Sequence, residues 1–424
     1  MHRFLLRYIN ISLFIIISTI NIEVFAQSNG QTYTSRPFIK ELRSLKVTRN
    51  GIFDAAPMIE INGEDKVQID FDIIGDDEKW IGYRIYHLDH LWRKSNISQQ
   101  EYFDGFDNNQ LDFSENSFNT YVNYRHYSIE IPNENFNLTK SGNYAIEFFE
   151  VNEPKTIIAT ACFSIYEPKV DISVNISGNT DIDYNKEHQQ LTTVLNIKDN
   201  TITNPVTDLF IVVTQNGRRD MEKVITTPSR FSANKVYYEH NRDLIFSGGN
   251  NYRRFDISDS KYASMGVERI RYYEPLYYAF LFPDIKRFDQ PFSYDSGQKG
   301  KYIIRNVSAE DNDVEADYFN VLFSFESTFP ITAADLYISG EFTNDRFDES
   351  NKMDYNEELR RYEKDILLKQ GHYNYIYVVK SGNKPATTAL TEGNFFETPN
   401  SYTVKVFYRK PGERYDKLIG IFYN

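Results

Sequence analysis

Cysteine is almost missing from this chain, which has a single thiol, Cys162, among 424 residues. Secreted eukaryotic proteins of this size usually carry paired cysteines, so the scarcity favours a bacterial envelope protein. Cys162 lies in the segment TACFSI, residues 160–165, which alternates as a strand does. We therefore expect an inert core thiol, and a catalytic cysteine is the open alternative.

Positive charge is also scarce. The chain has 47 Lys and Arg against 60 Asp and Glu, and its net charge is −13. Contact with nucleic-acid phosphates needs a basic field, and anionic lipid likewise attracts basic surfaces. We therefore expect no nucleic-acid partner. We also expect no direct lipid insertion, because beyond the N-terminal region no stretch is long and apolar enough to span a bilayer.

The signature motifs of common enzymes are missing as well. The sequence contains no H-E-x-x-H, G-x-S-x-G, Walker or C-x-x-C pattern. A glycosidase needs only two carboxylates across a cleft, and no such pair stands out among 60 acidic residues. We predict a protein that is not an enzyme, with no cofactor and no small-molecule substrate; a glycosidase remains an alternative.

Two polar clusters raise the question of metal binding. His87, Asp89 and His90 lie within four residues, but in a strand His90 points away from the other two, which is poor geometry for one ion. The acidic loop at residues 310–317, EDNDVEAD, is dense in hard oxygen ligands, but it lacks the glycine and terminal glutamate spacing of an EF-hand. We predict no metal site, and calcium at the acidic loop is left open.

The N-terminus has the pattern of a secretory signal. Arg3 and Arg7 precede the apolar run ISLFIIISTI at residues 11–20, and Ala26 ends a small-residue cleavage site. We predict a Sec-type signal peptide over residues 1–26. An uncleaved membrane anchor is the alternative, and a lipoprotein anchor is excluded because no cysteine directly follows the apolar run.

Aromatic residues, in contrast, are abundant, with 32 Tyr and 32 Phe. They favour half-buried strands, and alternating segments recur along the chain without helical periodicity of useful length. This predicts an all-β protein. Two hairpins are predicted, one joining residues 57–61 to 67–73 around Asn62-Gly63 and one joining 209–213 to 218–224 around Asn216-Gly217.

One spacing, Leu-x-x-x-Gly-x-Tyr, occurs twice and is typical of a corner between the sheets of a β-sandwich. In such a corner Leu fills the core, Gly takes the bend, and the Tyr hydroxyl bonds back to the corner backbone. Each copy has Lys two residues before Gly, namely Lys140 and Lys369. The residues predicted to form the two corners are Leu138, Gly142 and Tyr144, and then Leu367, Gly371 and Tyr373.

The length predicts about three domains. We expect tandem immunoglobulin-like or early-set β-sandwiches, with an N-terminal domain at 27–168, a middle domain at 169–298 and a C-terminal domain at 299–424.

Residues 336–379 resemble early-set immunoglobulin-like domains related to glycogen-binding modules, with a strand-Gly-x-Phe segment before a Gly-x-Tyr-x-Tyr strand. The sugar-stacking Trp of those modules is absent, and Phe347 is the nearest aromatic residue. This resemblance implies, as the alternative function, an envelope carbohydrate-binding protein.

The whole mature chain is more specifically similar to the type IX secretion system plug protein family of Bacteroidota, formerly a domain of unknown function. The resemblance is collinear, with local departures at His90 and Leu91. It rests on EYFDGF (101–106), HYSIEIPNENFNLTKSGNY (126–144), FSGGNNYRRFDI (246–257), EADYFNVLFSF (315–325), KQGHYNYIYV (369–378), TEGNFFETPNSYTVKVFYR (391–409) and ERYDKLIG (413–420).

The resemblance implies a periplasmic protein at the inner face of the outer membrane. It would bind the giant outer-membrane β-barrel translocon and occlude its periplasmic opening. No functional residue is carried over from the family, so the partner-binding residues are unknown at this point.

Overall fold

Strands make up almost all of the regular structure of this protein, which confirms the all-β prediction. The structure is a computed structural model, and it describes residues 32–105, 109–198, 202, 204–295 and 297–424. The predicted signal peptide lies outside the described residues. No helix in the described ranges is long and apolar enough to cross a membrane.

The N-terminal sandwich packs two sheets around one hydrophobic core. Its elements are β1 (Arg36–Pro37), β2 (Leu42–Arg49), β3 (Met58–Glu60), β4 (Val67–Ile74), β5 (Ile81–Leu88), α1 (Gln99–Tyr102), β6 (Phe103–Gly105), β7 (Asn109–Gln110), β8 (Phe113–Asn116), β9 (Tyr124–Ile131), β10 (Phe136–Leu138), β11 (Gly142–Glu150) and β12 (Ile157–Tyr166). One sheet runs β1-β12-β11-β5-β7, with β3 also beside β12, and the other runs β2-β4-β9-β8. A separate short ribbon pairs β10 with β6.

Alternation in β4 shows why this segment is a strand and what each of its faces meets. Val67, Ile69, Phe71 and Ile73 point into the core between the sheets. The opposite face carries polar residues, of which Asp72 is fully buried. A polar residue of this kind, buried outside the hydrophobic core, marks a contact with another part of the chain.

The middle sandwich is built from two distant parts of the chain. Its elements are β13 (Val170–Ser177), β14 (His188–Ile197), α2 (Pro205–Asp208), β15 (Leu209–Gln215), β16 (Lys223–Ile225), β17 (Arg230–Ser232), β18 (Lys235–Tyr238) and β19 (Ile245–Ser247), completed by two late strands, β29 (Tyr402–Tyr408) and β30 (Lys417–Tyr423). One sheet runs β13-β14-β18-β17, with β19 beside β14, and the other runs β16-β15-β29-β30.

The third sandwich occupies the chain between those two parts. Its elements are β20 (Arg253–Asp256), β21 (Val267–Tyr273), β22 (Leu276–Leu281), β23 (Tyr302–Ile304), α3 (Asn312–Glu315), β24 (Tyr318–Glu326), β25 (Asp335–Ser339), β26 (Asp354–Asn356), β27 (Arg361–Lys369) and β28 (Gly371–Lys380). One sheet runs β20-β28-β23, with β25 also beside β28, and the other runs β21-β22-β24-β27-β26.

The hydrophobic cores do not follow the expected division at 298 and 299. Strand β29 pairs with β15 from Leu209–Tyr408 to Gln215–Tyr402, and both strands contribute to the core of the middle sandwich. The third core draws on residues from Phe255 to Val379. We therefore propose domain limits that follow the cores, with the third sandwich inserted into the middle one. Because the alternating segments look alike in the sequence, the alternation does not reveal which strands pair.

The two predicted hairpins have different outcomes. Strands β15 and β16 pair antiparallel on either side of Asn216 and Gly217, both at positive φ, which confirms that these two segments form a hairpin. The second strand is shorter than predicted, because a 3-10 helix at Arg219–Met221 precedes Lys223–Ile225. The first prediction is wrong: β3 pairs in parallel with β12, whereas β4 lies in the opposite sheet. The chain does turn at Asn62, but because Ile59 and Val67 contact the same core from two sides, the turn crosses between sheets.

Candidate interaction surface

The residues predicted for the first corner lie at the turn between β10 and β11. The buried Tyr144 hydroxyl donates to the carbonyl of Lys140 at 2.7 Å, and Leu138 lies in the hydrophobic core. Gly142 has φ +148°, and a Cβ there would lie 2.4 Å from Nε2 of His87. Burial raises the pKa of Tyr144 well above its usual value, so the hydroxyl stays a donor. The corner needs glycine for both its backbone and its space.

The second corner keeps the tyrosine bond but not the leucine contact. The Tyr373 hydroxyl donates to the Lys369 carbonyl at 2.5 Å, and a Cβ on Gly371 would lie 2.1 Å from the Ile303 carbonyl oxygen. Leu367 was expected to fill the core, but it is only partly buried, and Leu368 joins the core instead. The reason is strand alternation, which turns Leu367 to the other face of the sheet.

Lys369 at this corner reaches out of its own sandwich into the N-terminal one. Its side chain is 2% exposed, and its ammonium donates to Oδ2 of Asp72 at 2.7 Å. The same ammonium donates to the carbonyl of Asp313 at 2.6 Å and lies 4.2 Å from the ring centre of Tyr124. The corner lysine therefore joins β27 to β4 by a buried ion pair.

Asp72 accepts further bonds from both sandwiches. Nδ1 of His126, on β9, lies 2.8 Å from Oδ1, and the Tyr318 hydroxyl, on β24, donates to Oδ2 at 2.7 Å. Burial raises the pKa of Asp72, but the charges of Lys369 and His126 and their hydrogen bonds outweigh it, so the net pKa is lowered. Burial lowers the pKa of His126, and the hydrogen bond and charge of Asp72 reverse this and raise it. We call Asp72, His126, Tyr318 and Lys369 the buried joint.

The acidic loop lies beside the buried joint and its carboxylates bind backbone donors. Asp317 accepts from the N–H groups of Tyr121 and Val122, at 2.9 and 3.1 Å, across the boundary between the two sandwiches. In return, the Tyr124 hydroxyl donates to the carbonyl of Ala316 at 2.9 Å. The loop that the sequence suggests as a candidate for calcium binding is therefore hydrogen-bonded to the N-terminal sandwich. Calcium binding there stays an untested alternative.

The histidine cluster of the sequence is divided in the structure. His87 is buried, with Nε2 3.0 Å from the Ser141 carbonyl and Nδ1 2.9 Å from the Ser95 hydroxyl. Because a carbonyl only accepts, Nε2 carries the proton and Nδ1 accepts from Ser95. Burial lowers the pKa of His87 to about 4. This imidazole is therefore a neutral packing group.

Asp89 and His90 instead meet Asp416 of the middle sandwich, and their ligand atoms lie within 4.8 Å of one another. Nδ1 of His90 is 2.8 Å from Asp416, which also accepts from Arg409 at 2.5 Å. Asp89 accepts from the backbone N–H of Arg93 at 2.9 Å. These protein donors already satisfy the carboxylates, so the group serves as a polar contact between sandwiches.

Tyrosine rings form a second contact between the N-terminal and third sandwiches. Tyr121 of the N-terminal sandwich lies 4.6 Å from the ring of Tyr272 and 5.4 Å from that of Tyr277. The ring of Tyr277 stacks on Phe319 at 4.9 Å. Tyr121 and Tyr272 are exposed, so this contact lies at the molecular surface.

The sheet that carries these rings has a second, outward face. Residues directly opposed in neighbouring strands project to the same side. The inward series contains Val267, Ile270, Ala279 and Val321, which belong to the third core or pack against it. The outward series lies outside that core, and we call it the outer face. Its members are Arg269, Arg271, Tyr273, Leu276, Tyr278, Phe280, Asn320, Leu322, Asp365 and Leu367.

The charge of the outer face changes from positive on β21 to negative on β27. Arg269 and Arg271 are exposed on β21, apolar and aromatic side chains fill the centre, and Asp365 lies on β27. Tyr273 is 57% exposed and its ring lies 5.5 Å from that of Tyr278. Aromatic residues and arginine are the types enriched in protein interfaces. This face is the candidate interaction surface.

The abundance of aromatic residues is visible in the sequence, but their place on this surface is not. Its aromatic side chains come from the paired strands β21 and β22. The position of Leu367 on the same face was missed, because it depends on the pairing of β27 with β24, residues about 45 apart. Asp72 and His126 gave no signal, since an alternating polar residue is ordinarily solvated.

Comparisons with known proteins agree with this architecture. The family model for the first domain of type 9 secretion system plug proteins matches residues 42–167. The crystal structure of a hypothetical protein from Parabacteroides merdae has a TM-score of 0.91 at 38% identity, covering 93% of this chain and 99% of that chain. Dimeric latent PorU from Porphyromonas gingivalis has a TM-score of 0.14 at 10% identity, covering 90% of this chain and 34% of that chain, and carries no argument. No curated protein matches.

Proposed function

This chain belongs to the type 9 secretion system plug protein family, and we propose that it is a non-enzymatic subunit that binds the outer-membrane β-barrel translocon and occludes its periplasmic opening. The family match carries the proposal. Support also comes from the way the sandwiches are joined, because a plug must keep its shape against a pore.

The buried joint supplies that stiffness. Residues Tyr33–Asn424 form one compact unit, and within it Asp72 and Lys369 pair at 2.7 Å with side chains 1% and 2% exposed. Separating the N-terminal and third sandwiches would break this ion pair and the hydrogen bond from Tyr318 to Asp72. We infer that the two sandwiches act as one body rather than as domains on a flexible linker.

We place the protein in the periplasm, at the inner face of the outer membrane. The Arg3 and Arg7 region, the apolar run at 11–20 and cleavage near Ala26 support this location. Fractionation of cells that carry a C-terminal tag tests it. We expect a periplasmic protein that starts near Gln27, and a full-length form in the inner membrane would contradict the proposal.

Two measurements test the proposed function. Affinity capture of the tagged protein from gently solubilised envelopes should recover the translocon barrel, and recovery as a lone monomer from cargo-depleted cells would count against binding. The purified barrel in a planar bilayer should conduct less when the protein is added to its periplasmic side. Binding with unchanged conductance would keep the protein as a subunit but reject occlusion.

A carbohydrate-binding role is less well supported by the third sandwich. Phe347, the aromatic residue nearest the expected sugar-stacking position, packs edge-on against Tyr337 at 5.4 Å and joins a small buried cluster. Trp80 in the N-terminal sandwich is 65% exposed and is one side chain on which a sugar ring could stack. A glycan array on the wild type and Trp80→Ala would detect such a site, and no binding would reject it.

A further inference from the structure

We propose that β21 and the outer face bind an extended acidic segment of a partner protein, which adds to the sheet as a new edge strand. This inference rests on the proposed function, since it takes the partner to be part of the secretion machinery.

Strand β21 is the edge of its sheet, with β22 as its neighbour. An edge strand presents backbone donors and acceptors that another strand can pair with. The register shifts between Val267 and Arg269, so a bulge limits the regular edge to residues 269–273. A partner segment of about five residues would match it.

The charges on this edge favour an acidic partner. Arg269 and Arg271 lie two residues apart and project to the outer face. Arg269 covers the Phe280 ring at 4.1 Å and pairs with Glu268 at 3.0 Å. The described hydrogen bond of the Arg271 guanidinium is to the carbonyl of Ile270 at 3.0 Å, in an exposed setting. An acidic side chain opposite Arg271 would therefore gain a cross-strand ion pair.

The same charges disfavour a second copy of this chain. Two antiparallel copies of β21 related by a two-fold axis at Ile270 would place Arg269 of one opposite Arg271 of the other. Like charges directly opposed across strands are destabilising. In this register the two arginines therefore oppose pairing with a second copy, whereas an acidic strand would meet them with opposite charge.

The two sides of the edge define the partner pattern. Ile270 on the inward side packs against the third core, and Tyr272 beside it contacts Tyr121 and Tyr277. An added strand would extend that core with apolar side chains on its inward positions. Its outward positions would face the two arginines. We infer a segment in which acidic and apolar residues alternate.

The test compares Arg271→Glu with a matched charge reversal, Lys235→Glu, at an exposed lysine on β18 of the middle sandwich. Neither change removes a buried contact, so both proteins should melt as the wild type does. Tyr273→Ser gives a second variant on the outer face. We measure capture of the translocon barrel from solubilised envelopes at 50 and 300 mM salt.

We expect Arg271→Glu to lower capture about tenfold at low salt, Tyr273→Ser to lower it severalfold, and Lys235→Glu to leave it unchanged. The loss for Arg271→Glu should shrink at high salt, because screening weakens the ion pair. If the wild type and all variants capture the barrel equally, the proposed function stands and this inference fails. If the wild type captures no barrel, the proposed function fails and this inference fails with it.

A photo-crosslinker at position 273 identifies the occupant. The control is a photo-crosslinker in place of Tyr184, which is 67% exposed. A cross-linked peptide with alternating acidic and apolar residues, seen from position 273 only, supports the inference. A basic or helical peptide overturns it. Light scattering that shows a dimer of the wild type, lost in Arg271→Glu, would assign the edge to a second copy instead and also overturn it.

Discussion

Replacing Lys369 by Met tests whether the buried joint holds the N-terminal and third sandwiches together. The change removes the ammonium from Asp72 while keeping a side chain of similar length. Asp72 is fully buried, so it loses a charge partner at 2.7 Å and has no access to water. Breaking a buried pair by removing one partner typically costs about 3–5 kcal/mol. We expect about 3 kcal/mol, since His126 and Tyr318 still bond the carboxylate.

A double-mutant cycle separates the ion pair from general damage. Asp72→Asn alone leaves the ammonium of Lys369 without its charge partner, whereas the double variant Asp72→Asn/Lys369→Met contains neither charge. We expect the double variant to be more stable than the sum of the single effects by about 1–3 kcal/mol. Lys364→Met on the same strand is the control, because its ammonium donates to the Glu349 carbonyl in an exposed setting. It should cost less than about 1 kcal/mol.

Guanidinium unfolding followed by tryptophan fluorescence is the assay. Trp80 and Trp92 both belong to the N-terminal sandwich, which also carries Asp72, so the signal reports the part of the molecule on which the joint acts. The free energy of the transition seen by this probe is compared among variants, since a chain with several sandwiches need not unfold in one step. A cost below about 1 kcal/mol for Lys369→Met, or purely additive effects in the cycle, would refute the reasoning.

Four further outcomes are expected. Tyr144→Phe and Tyr373→Phe should each cost about 1 kcal/mol in thermal unfolding through loss of the corner hydrogen bond, and the corresponding Ala variants about 3–5; unchanged melting would reject the corners. Because the folded pKa of His87 is lowered to about 4, its contribution of about 3 kcal/mol should be present above pH 6.5 and disappear as the pH falls towards 4; His87→Gln should flatten that acid dependence of unfolding. His126 has the opposite sign, because its folded pKa is raised: its contribution is full below pH about 6.5 and is lost as the pH rises through the folded pKa, and His126→Asn should remove that slope. Cys162 is buried and its pKa is raised to about 11 by burial, so a thiol reagent should label it only after unfolding; rapid labelling of the native protein would contradict this.

Some local patterns corresponded to local structure, although the hairpin predicted around Asn62-Gly63 did not form. The spacing of Gly142 and Tyr144 corresponds to a bend whose hydroxyl bonds the Lys140 carbonyl, and Asn216-Gly217 joins two paired strands. These features depend on backbone dihedrals and on residues a few positions apart. Interactions between residues so close in the chain can be predicted from the sequence alone.

Features that depend on distant pairing could not be predicted. Lys369 was noticed only for its place before Gly371, whereas its partner Asp72 lies 297 residues away. The grouping of His90 with Asp416, in place of His87, has the same cause, since those residues are 326 apart. The alternation of apolar and polar residues predicts on which face of its strand a residue lies, but it does not predict which sheet packs against that face. The aromatic composition of the candidate interaction surface could therefore be recognised in the sequence, but the arrangement of its residues on one face could not.

The discontinuous middle sandwich imposes an order on the maturation of the chain. Strand β15 at residues 209–215 can pair early with β16, but its other neighbour, β29, is present only when residues 402–408 are, almost two hundred positions later. Until then that second edge of β15 is unpaired, while the whole third sandwich can already form within the intervening segment. A chain interrupted before residue 402 would thus contain a complete inserted sandwich and an incomplete host. The middle sandwich therefore depends for its completion on β29 and β30, the last two strands of the chain.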